Sequence, residues 1–288
     1  MNKLVSVSKP QRPSDQGEYS FLLEQYLEHF IKKQNTFLEG PELVRAIFKA
    51  NKDVPDLAVL VARLLSEREI DFRVKELAAK TIFGLSCDSG NLARLTDKEV
   101  CVHTRFAEVL LDPDSPADAR EFAAGALFNL STDEANCQKL LDACVHRHLV
   151  ALLSLDAATD NAREFAARTL CNLSCNEANV QCLLAAGVHT QLVALLRGNA
   201  TEKAKEFAAG ALMNISFNEA NAQCLLDAGV HTQLNVLLSE GAAASVSKKW
   251  AAFVLSHLAT TRDSREFFRE VAMKWATRGD KRQRDSGC

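Results

Sequence analysis

No apolar run in this 288-residue chain is long enough to cross a membrane as a helix. Met1-Asn2-Lys3 leads into a short polar segment, not into the charged-then-apolar pattern of a signal peptide. There is no phosphate-binding loop, no nucleophile elbow and no pair of groups set for acid–base work. Cys171 and Cys175 stand one helical turn apart with no second pair near them in sequence, which is not a zinc pattern. These absences argue against an enzyme, and no cofactor or metal is expected. A strong charge of one sign is also missing. Lys and Arg number 34 against 37 Asp and Glu, a net charge of −3, so bulk binding to nucleic acid is not expected. The 9 cysteines are an odd number, most at helical positions, and suit reduced thiols in an intracellular protein, cytoplasmic or also nuclear.

What the chain does have is internal repetition. Residues 206–230 begin Glu-Phe-Ala-Ala and run through Asn214 and Gly229 to Val230; nearly the same text occupies residues 164–188 and 121–145, and a worn copy starts at Glu76. Glu76, Glu121, Glu164 and Glu206 are 45, 43 and 42 residues apart. A second marker, the Val-His pairs at 102/103, 145/146, 188/189 and 230/231, keeps the same step. A fifth copy begins near Lys249-Trp250-Ala251-Ala252. Two markers on one period of this length indicate a helical solenoid.

Each unit reads as three helices. Asn176 is a candidate N-cap, with Glu177 in the favourable first turn of helix 1. Val180, Leu183 and Leu184 make an apolar stripe, and Gly187 ends the helix because glycine accepts a left-handed backbone without steric cost. Helix 2 carries Leu192, Val193, Leu195 and Leu196; residues 197–200 are a loop; helix 3 runs from about Glu202 to Ser216. Helix 3 is rich in alanine, which lets neighbouring units approach closely. No unit buries its own apolar face, so the units must stack into one core.

Three helices, a glycine between the first two, and Ala-Leu-x-Asn-Leu-Ser or a close variant closing the third: the chain resembles the armadillo repeat family over residues 41–276. The implied fold is an all-α, right-handed solenoid of about five repeats. Cys101 and Cys144 stand where Gly187 and Gly229 stand, so the turn there must differ or be strained. Gly84 and His257 replace the closing asparagine in the first and last units. Importins of this family carry a tryptophan four residues before that asparagine; here the slot holds Lys80, Gly125, Arg168, Gly210 and Phe253.

The candidate site lies along helix 3. Asn129, Asn172 and Asn214 share a helix face with Glu121, Glu164 and Glu206 eight residues earlier and with Gly125, Arg168 and Gly210 four residues earlier. The resemblance implies that helix 3 lines a concave groove and that the asparagines hold the backbone of an extended bound peptide. An amide suits that work because it donates and accepts at once. Repeats about 10 Å apart and a peptide rising about 3.3–3.6 Å per residue would let each asparagine meet roughly every third residue. The alternative is that the asparagines only join neighbouring repeats. The glutamates make an acidic row that would favour a basic ligand if unpaired, but Lys75, Arg120, Arg163 and Lys205 precede them and intra-helix or inter-repeat pairing is equally simple. Arg168 either pairs with Glu164 or reads an acidic group on the ligand. His103, His146, His189 and His231 recur once per repeat, too far apart to share a metal, and are read as structural. The residues near 144–148 are discounted as a metal cluster because they sit at the turn between helices 1 and 2.

The expected organisation is a flexible arm over residues 1–16, a capping helix over 17–40, repeats over 41–262, a second capping helix over 263–276 and a basic tail over 277–288. The expected function is a non-enzymatic scaffold or adaptor that binds an extended segment of another protein in its groove. Alternatives are an import-type adaptor for basic cargo, which the missing tryptophans disfavour, a membrane-associated trafficking or signalling regulator acting through the tail or the amphipathic helix over residues 18–33, and a regulatory subunit of an enzyme complex.

Overall fold

An aspartate or asparagine opens the first helix of each of the four repeats in which that helix is described. In this computed structural model, which describes residues 72–98, 100–239 and 246–259 together with Ala58, Val61, Ala62 and Leu65, thirteen helices are assigned and no strand is seen among the described residues. In chain order they are α1 (Phe72–Ser86), α2 (Ser89–Leu95), α3 (Val102–Leu111), α4 (Ala117–Leu130), α5 (Glu134–Asp142), α6 (Val145–Leu153), α7 (Asp160–Ser174), α8 (Glu177–Ala185), α9 (Val188–Arg197), α10 (Glu202–Ser216), α11 (Glu219–Asp227), α12 (Val230–Ser239) and α13 (Val246–Leu258). The first helices are α2, α5, α8 and α11. The side chains of Asp88, Asp133, Asn176 and Asn218 accept the backbone N–H of Gly90, Asn136, Ala178 and Ala220 there, satisfying a donor that the helix itself leaves unpaired.

The turn into each second helix (α3, α6, α9, α12) is left-handed. Gly187 and Gly229 adopt φ of 72° and 69°, and Cys101 and Cys144 take the same turn at 47° and 55°. The expected departure is therefore strain rather than a different turn, because the next residue leaves no choice. Val102, Val145, Val188 and Val230 are wholly buried at the first position of the second helices. A turn of another hand would lift that valine out of the core. The valine of each Val-His pair is thus the anchor that forces the cysteines into an unfavourable backbone region.

The third helices, α1, α4, α7, α10 and α13, pack side by side in one row. Ala123, Ala124, Ala166, Ala167, Ala208 and Ala209 have no exposed surface, and alanine brings helix axes close. Leucines of all three helices fill one continuous core that runs from repeat to repeat. Ala58, Val61, Ala62 and Leu65 are buried in it too, where the sequence places the second helix of a first repeat. The expected arm, both capping helices and the basic tail lie outside the described residues. Among the described residues no single helix is long and apolar enough to cross a membrane.

Relieving the left-handed cysteine should stabilise the protein. A left-handed non-glycine residue costs about 1–2 kcal/mol, partly offset by glycine's greater unfolded-state entropy. Cys144→Gly should raise the unfolding free energy by about 1 kcal/mol and Gly187→Ala should lower it by about as much, although a Cβ at Gly187 meets nothing within 4 Å. Urea unfolding followed by helicity measures both.

Candidate functional site: the third-helix face

The third helices α1, α4, α7 and α10 each close on a serine whose hydroxyl proton is already committed. Ser86, Ser131 and Ser174 donate to the carbonyls of Phe83, Phe128 and Cys171, each at 2.7 Å. The serine oxygen can then only accept, and the donor it finds is the asparagine amide of the next repeat. Asn129 Nδ2 lies 2.9 Å from Ser86 Oγ, Asn172 Nδ2 lies 2.9 Å from Ser131 Oγ, and Asn214 Nδ2 lies 3.0 Å from Ser174 Oγ. The serine proton thereby sets the amide's orientation, with nitrogen toward the preceding repeat. All three asparagines are half-buried. Among the described residues no hydrogen bond reaches their Oδ1 atoms. The amides thus join repeats through one end and leave the other end unspent.

The glutamates do not behave as one row. Glu121 accepts from Thr159 Oγ1 at 2.7 Å and Asn161 Nδ2 at 2.9 Å, both at the start of the next third helix. Glu164 accepts from Thr201 Oγ1 at 3.3 Å and pairs with Arg168 at 2.8 Å. Glu76 and Glu206 have no partner among the described residues. The reason is in register with the helix caps. Thr159 and Thr201 are the caps of α7 and α10, and the cap of α4 is Pro116, which has no side-chain donor to offer Glu76. The cations preceding the glutamates turn elsewhere: Lys75 pairs with Asp112 at 3.1 Å, Arg120 donates to the carbonyl of Asp112 at 2.8 Å, Arg163 donates to that of Leu155 at 3.0 Å, and Lys205 approaches Glu202 at 3.8 Å.

A diagonal of side chains crosses the third-helix row. A residue one before the asparagine position of one repeat meets the residue four before it in the next repeat and seven before it in the repeat after. Arg168 shows the full pattern: its guanidinium lies 5.2 Å from the Phe128 ring centre and 4.7 Å from that of Phe207, while pairing with Glu164. Such stacking adds about 0.5–2 kcal/mol. One repeat earlier Gly125 vacates the middle place, and Phe83 and Phe165 close over it with ring centres 6.1 Å apart. Phe83 also packs on Phe122, and Phe128 stacks on Phe165. At the first repeat Lys80 lies over Phe122 at 5.8 Å. The third helices of the first four repeats are thus linked by an unbroken strip of rings and cations. Arg168 takes the intra-helix pairing of the two roles open to it.

The sequence reading missed a second set of amides. Asn91, Asn179 and Asn221, third in their helices, donate to the carbonyls of Leu85, Leu173 and Ile215 at 3.0–3.1 Å. They tie α2, α8 and α11 to the end of the preceding third helix, whereas in α5 the matching Asn136 accepts from Thr96 Oγ1 at 2.7 Å and its Nδ2 has no partner among the described residues. The signal was present as Glu-Ala-Asn at residues 134–136, 177–179 and 219–221. The histidines of the Val-His pairs are buried or half-buried, and burial holds all four imidazoles below their usual pKa. Lys139 adds to this at His103, and Arg147 and His148 at His146. Among the described residues no three His, Cys, Asp or Glu side chains come together as metal ligands. Burial pushes the Cys171 thiol up to about 12, so it is a neutral wall beside Gly210.

Three solved structures with the same architecture are designed proteins. A computationally designed armadillo repeat protein for modular peptide recognition superposes with a TM-score of 0.66 at 23% identity, over 84% of this chain and 94% of that one. A second designed armadillo repeat protein gives 0.63 at 23% identity, over 86% and 96%. The fold is the armadillo solenoid. A third designed armadillo repeat protein, in complex with the peptide (KR)4, matches with a TM-score of 0.64 at 23% identity, over 86% and 95% of the two chains. No protein-family model and no curated protein matches the sequence. The armadillo architecture accounts for the row of third helices and for the one-repeat spacing of their asparagines.

The two mid-helix glycines should answer differently to alanine. Alanine is favoured over glycine inside a helix by about 1 kcal/mol. A Cβ at Gly125 would fall 2.7 Å from Phe83 Cε2, whereas at Gly210 its one close neighbour is Cys171 Sγ at 3.3 Å. Gly125→Ala should therefore lower the melting temperature and Gly210→Ala should hold or raise it; differential scanning calorimetry compares them.

Proposed function

We propose that this protein is a binding scaffold whose row of third helices holds an extended segment of a partner protein. The observation that carries the reading is the set of three unspent Oδ1 atoms on Asn129, Asn172 and Asn214, presented from equivalent positions one repeat apart. Each amide is held by its serine and so is preorganised, which lowers the entropy lost on binding. Its oxygen can accept a peptide N–H, and at Asn172, whose Nδ2 bonds only Ser131, the second amide hydrogen can serve a peptide carbonyl, whereas those of Asn129 and Asn214 have cysteine acceptors nearby. Repeats spaced by about 10 Å match roughly three residues of an extended chain, so one peptide can satisfy all three asparagines without bending. The designed armadillo proteins built for peptide recognition, and the one in complex with (KR)4, support this use of the fold. No catalytic role is proposed for any residue, and the thiol-rich composition favours the cytoplasm as the place of work.

Two triple variants separate binding from architecture. Asn129→Ala, Asn172→Ala, Asn214→Ala removes both the inter-repeat bonds and the peptide-facing oxygens. Ser86→Ala, Ser131→Ala, Ser174→Ala removes the serine–asparagine bonds, leaves the contacts of Asn129 with Cys87 Sγ and of Asn214 with Cys171 O and Cys175 Sγ, and keeps the oxygens. Both should lose stability, about 0.5–1.5 kcal/mol for each bond. In a selection from a displayed library of extended peptides, the serine variant should enrich the wild-type set and the asparagine variant should not. Equal enrichment by both would show that the asparagines only join repeats.

A further inference from the structure

Three imidazoles recur one repeat apart at the same point of the fold, away from the third-helix face. His103, His146 and His189 are the second residues of α3, α6 and α9. Each follows the valine that anchors the left-handed turn, and these second helices pack each against the next. The Nδ1 atom of each ring is buried and has no hydrogen-bond partner among the described residues. A neutral ring tolerates that place, because its Nδ1 can stand as a bare acceptor. An imidazolium does not. It carries an N–H on both nitrogens, and the inner one would be a charged donor with no acceptor. The position adds a second penalty, since the first turn of a helix is its positive end and disfavours a cation. The charged groups that act on the rings add a third. Lys139 acts on His103 from α5, the first helix of the next repeat, and Arg147 and His148 act on His146 from its own helix; at His189 burial acts alone. Lys139 is held in place by donating to Thr96 Oγ1 at 2.8 Å. Among the described residues no carboxylate pairs with any of the three rings.

We propose that His103, His146 and His189 form an acid-sensitive latch on the stacking of the second helices: neutral rings let successive repeats close, and proton uptake in mild acid loosens them. The fold holds each ring neutral, and the unfolded chain leaves it free to protonate. The stabilisation is therefore complete above about pH 6.5, the ordinary imidazole value, and is lost as the pH falls below it. Unfolding takes up protons in that range, and each proton multiplies the unfolding constant by up to about ten per pH unit. A solenoid repeat is held by its neighbours alone, so three rings in successive repeats act on one stack. The device is independent of what the third-helix face binds.

Urea unfolding of the full chain, followed by helicity at steps between about pH 7.5 and 5, tests the latch against the triple variant His103→Gln, His146→Gln, His189→Gln. Glutamine keeps a polar end and cannot take the charge. From about pH 6.5 to 5.5 the unfolding constant of the wild type should rise roughly ten- to a hundredfold more than that of the variant, the weight of one to two protons per pH unit. Equal pH dependence of the two proteins overturns the latch. A second measurement needs no variant. Nitrogen-15 NMR of the wild-type imidazoles should show these three rings neutral at pH 6, with the proton on Nε2, while the helices remain folded. Rings at these positions that protonate in the folded protein at or above about pH 6.5 also overturn it.

Discussion

A serine hydroxyl has one proton, and in this solenoid that proton decides what the third-helix face can present. Because Ser86, Ser131 and Ser174 each spend it on a carbonyl of their own helix, their oxygens must accept from the next repeat. The asparagine amide meets them, and it turns its nitrogen inward. The outward oxygen is a consequence, not a separate design. The same contact therefore stacks one repeat on the next and sets out a regular series of acceptors. This couples assembly to recognition: a unit slipped along its neighbour would lose the bond and the spacing together.

The remaining polar chemistry of the face follows from what each repeat can satisfy internally. A threonine cap in the next repeat silences Glu121 and contributes to silencing Glu164, and Arg168 completes the latter. Where proline replaces that threonine, at Pro116, Glu76 is left over. Aromatic rings close over Gly125, and Cys171 Sγ lies 3.3 Å from where a Cβ would stand at the buried Gly210. Small departures between near-identical repeats thus turn a periodic surface into one with distinct positions. In the proposed function, the periodicity supplies the grip on a partner's backbone.

Much of the fold was legible before any coordinates. The period, the three helices of each unit, the cap at Asn176, the glycine turn and the extent of α10 all stand as read, because each depends on neighbours close in sequence. The cysteine turns were legible only as a conflict. Which side yields depends on the valine behind them, buried by residues far along the chain. The site was less legible for the same reason. That Asn172 bonds Ser131, that Glu121 meets Thr159, and that Phe83 fills the space over Gly125 are contacts between repeats, separated by a whole period. The helical wheel shows which residues share a face; it does not show which are already spent on the next unit.

The most direct test of this account is a double-mutant cycle of Ser131→Ala and Asn172→Ala, read by urea unfolding of both single variants and the double. If the serine oxygen holds the amide, the two losses should not add, and the coupling should be about 1 kcal/mol, the usual net contribution of one such hydrogen bond. Strictly additive losses would mean that the bond contributes nothing to stacking, and that the orientation of the asparagines has another cause.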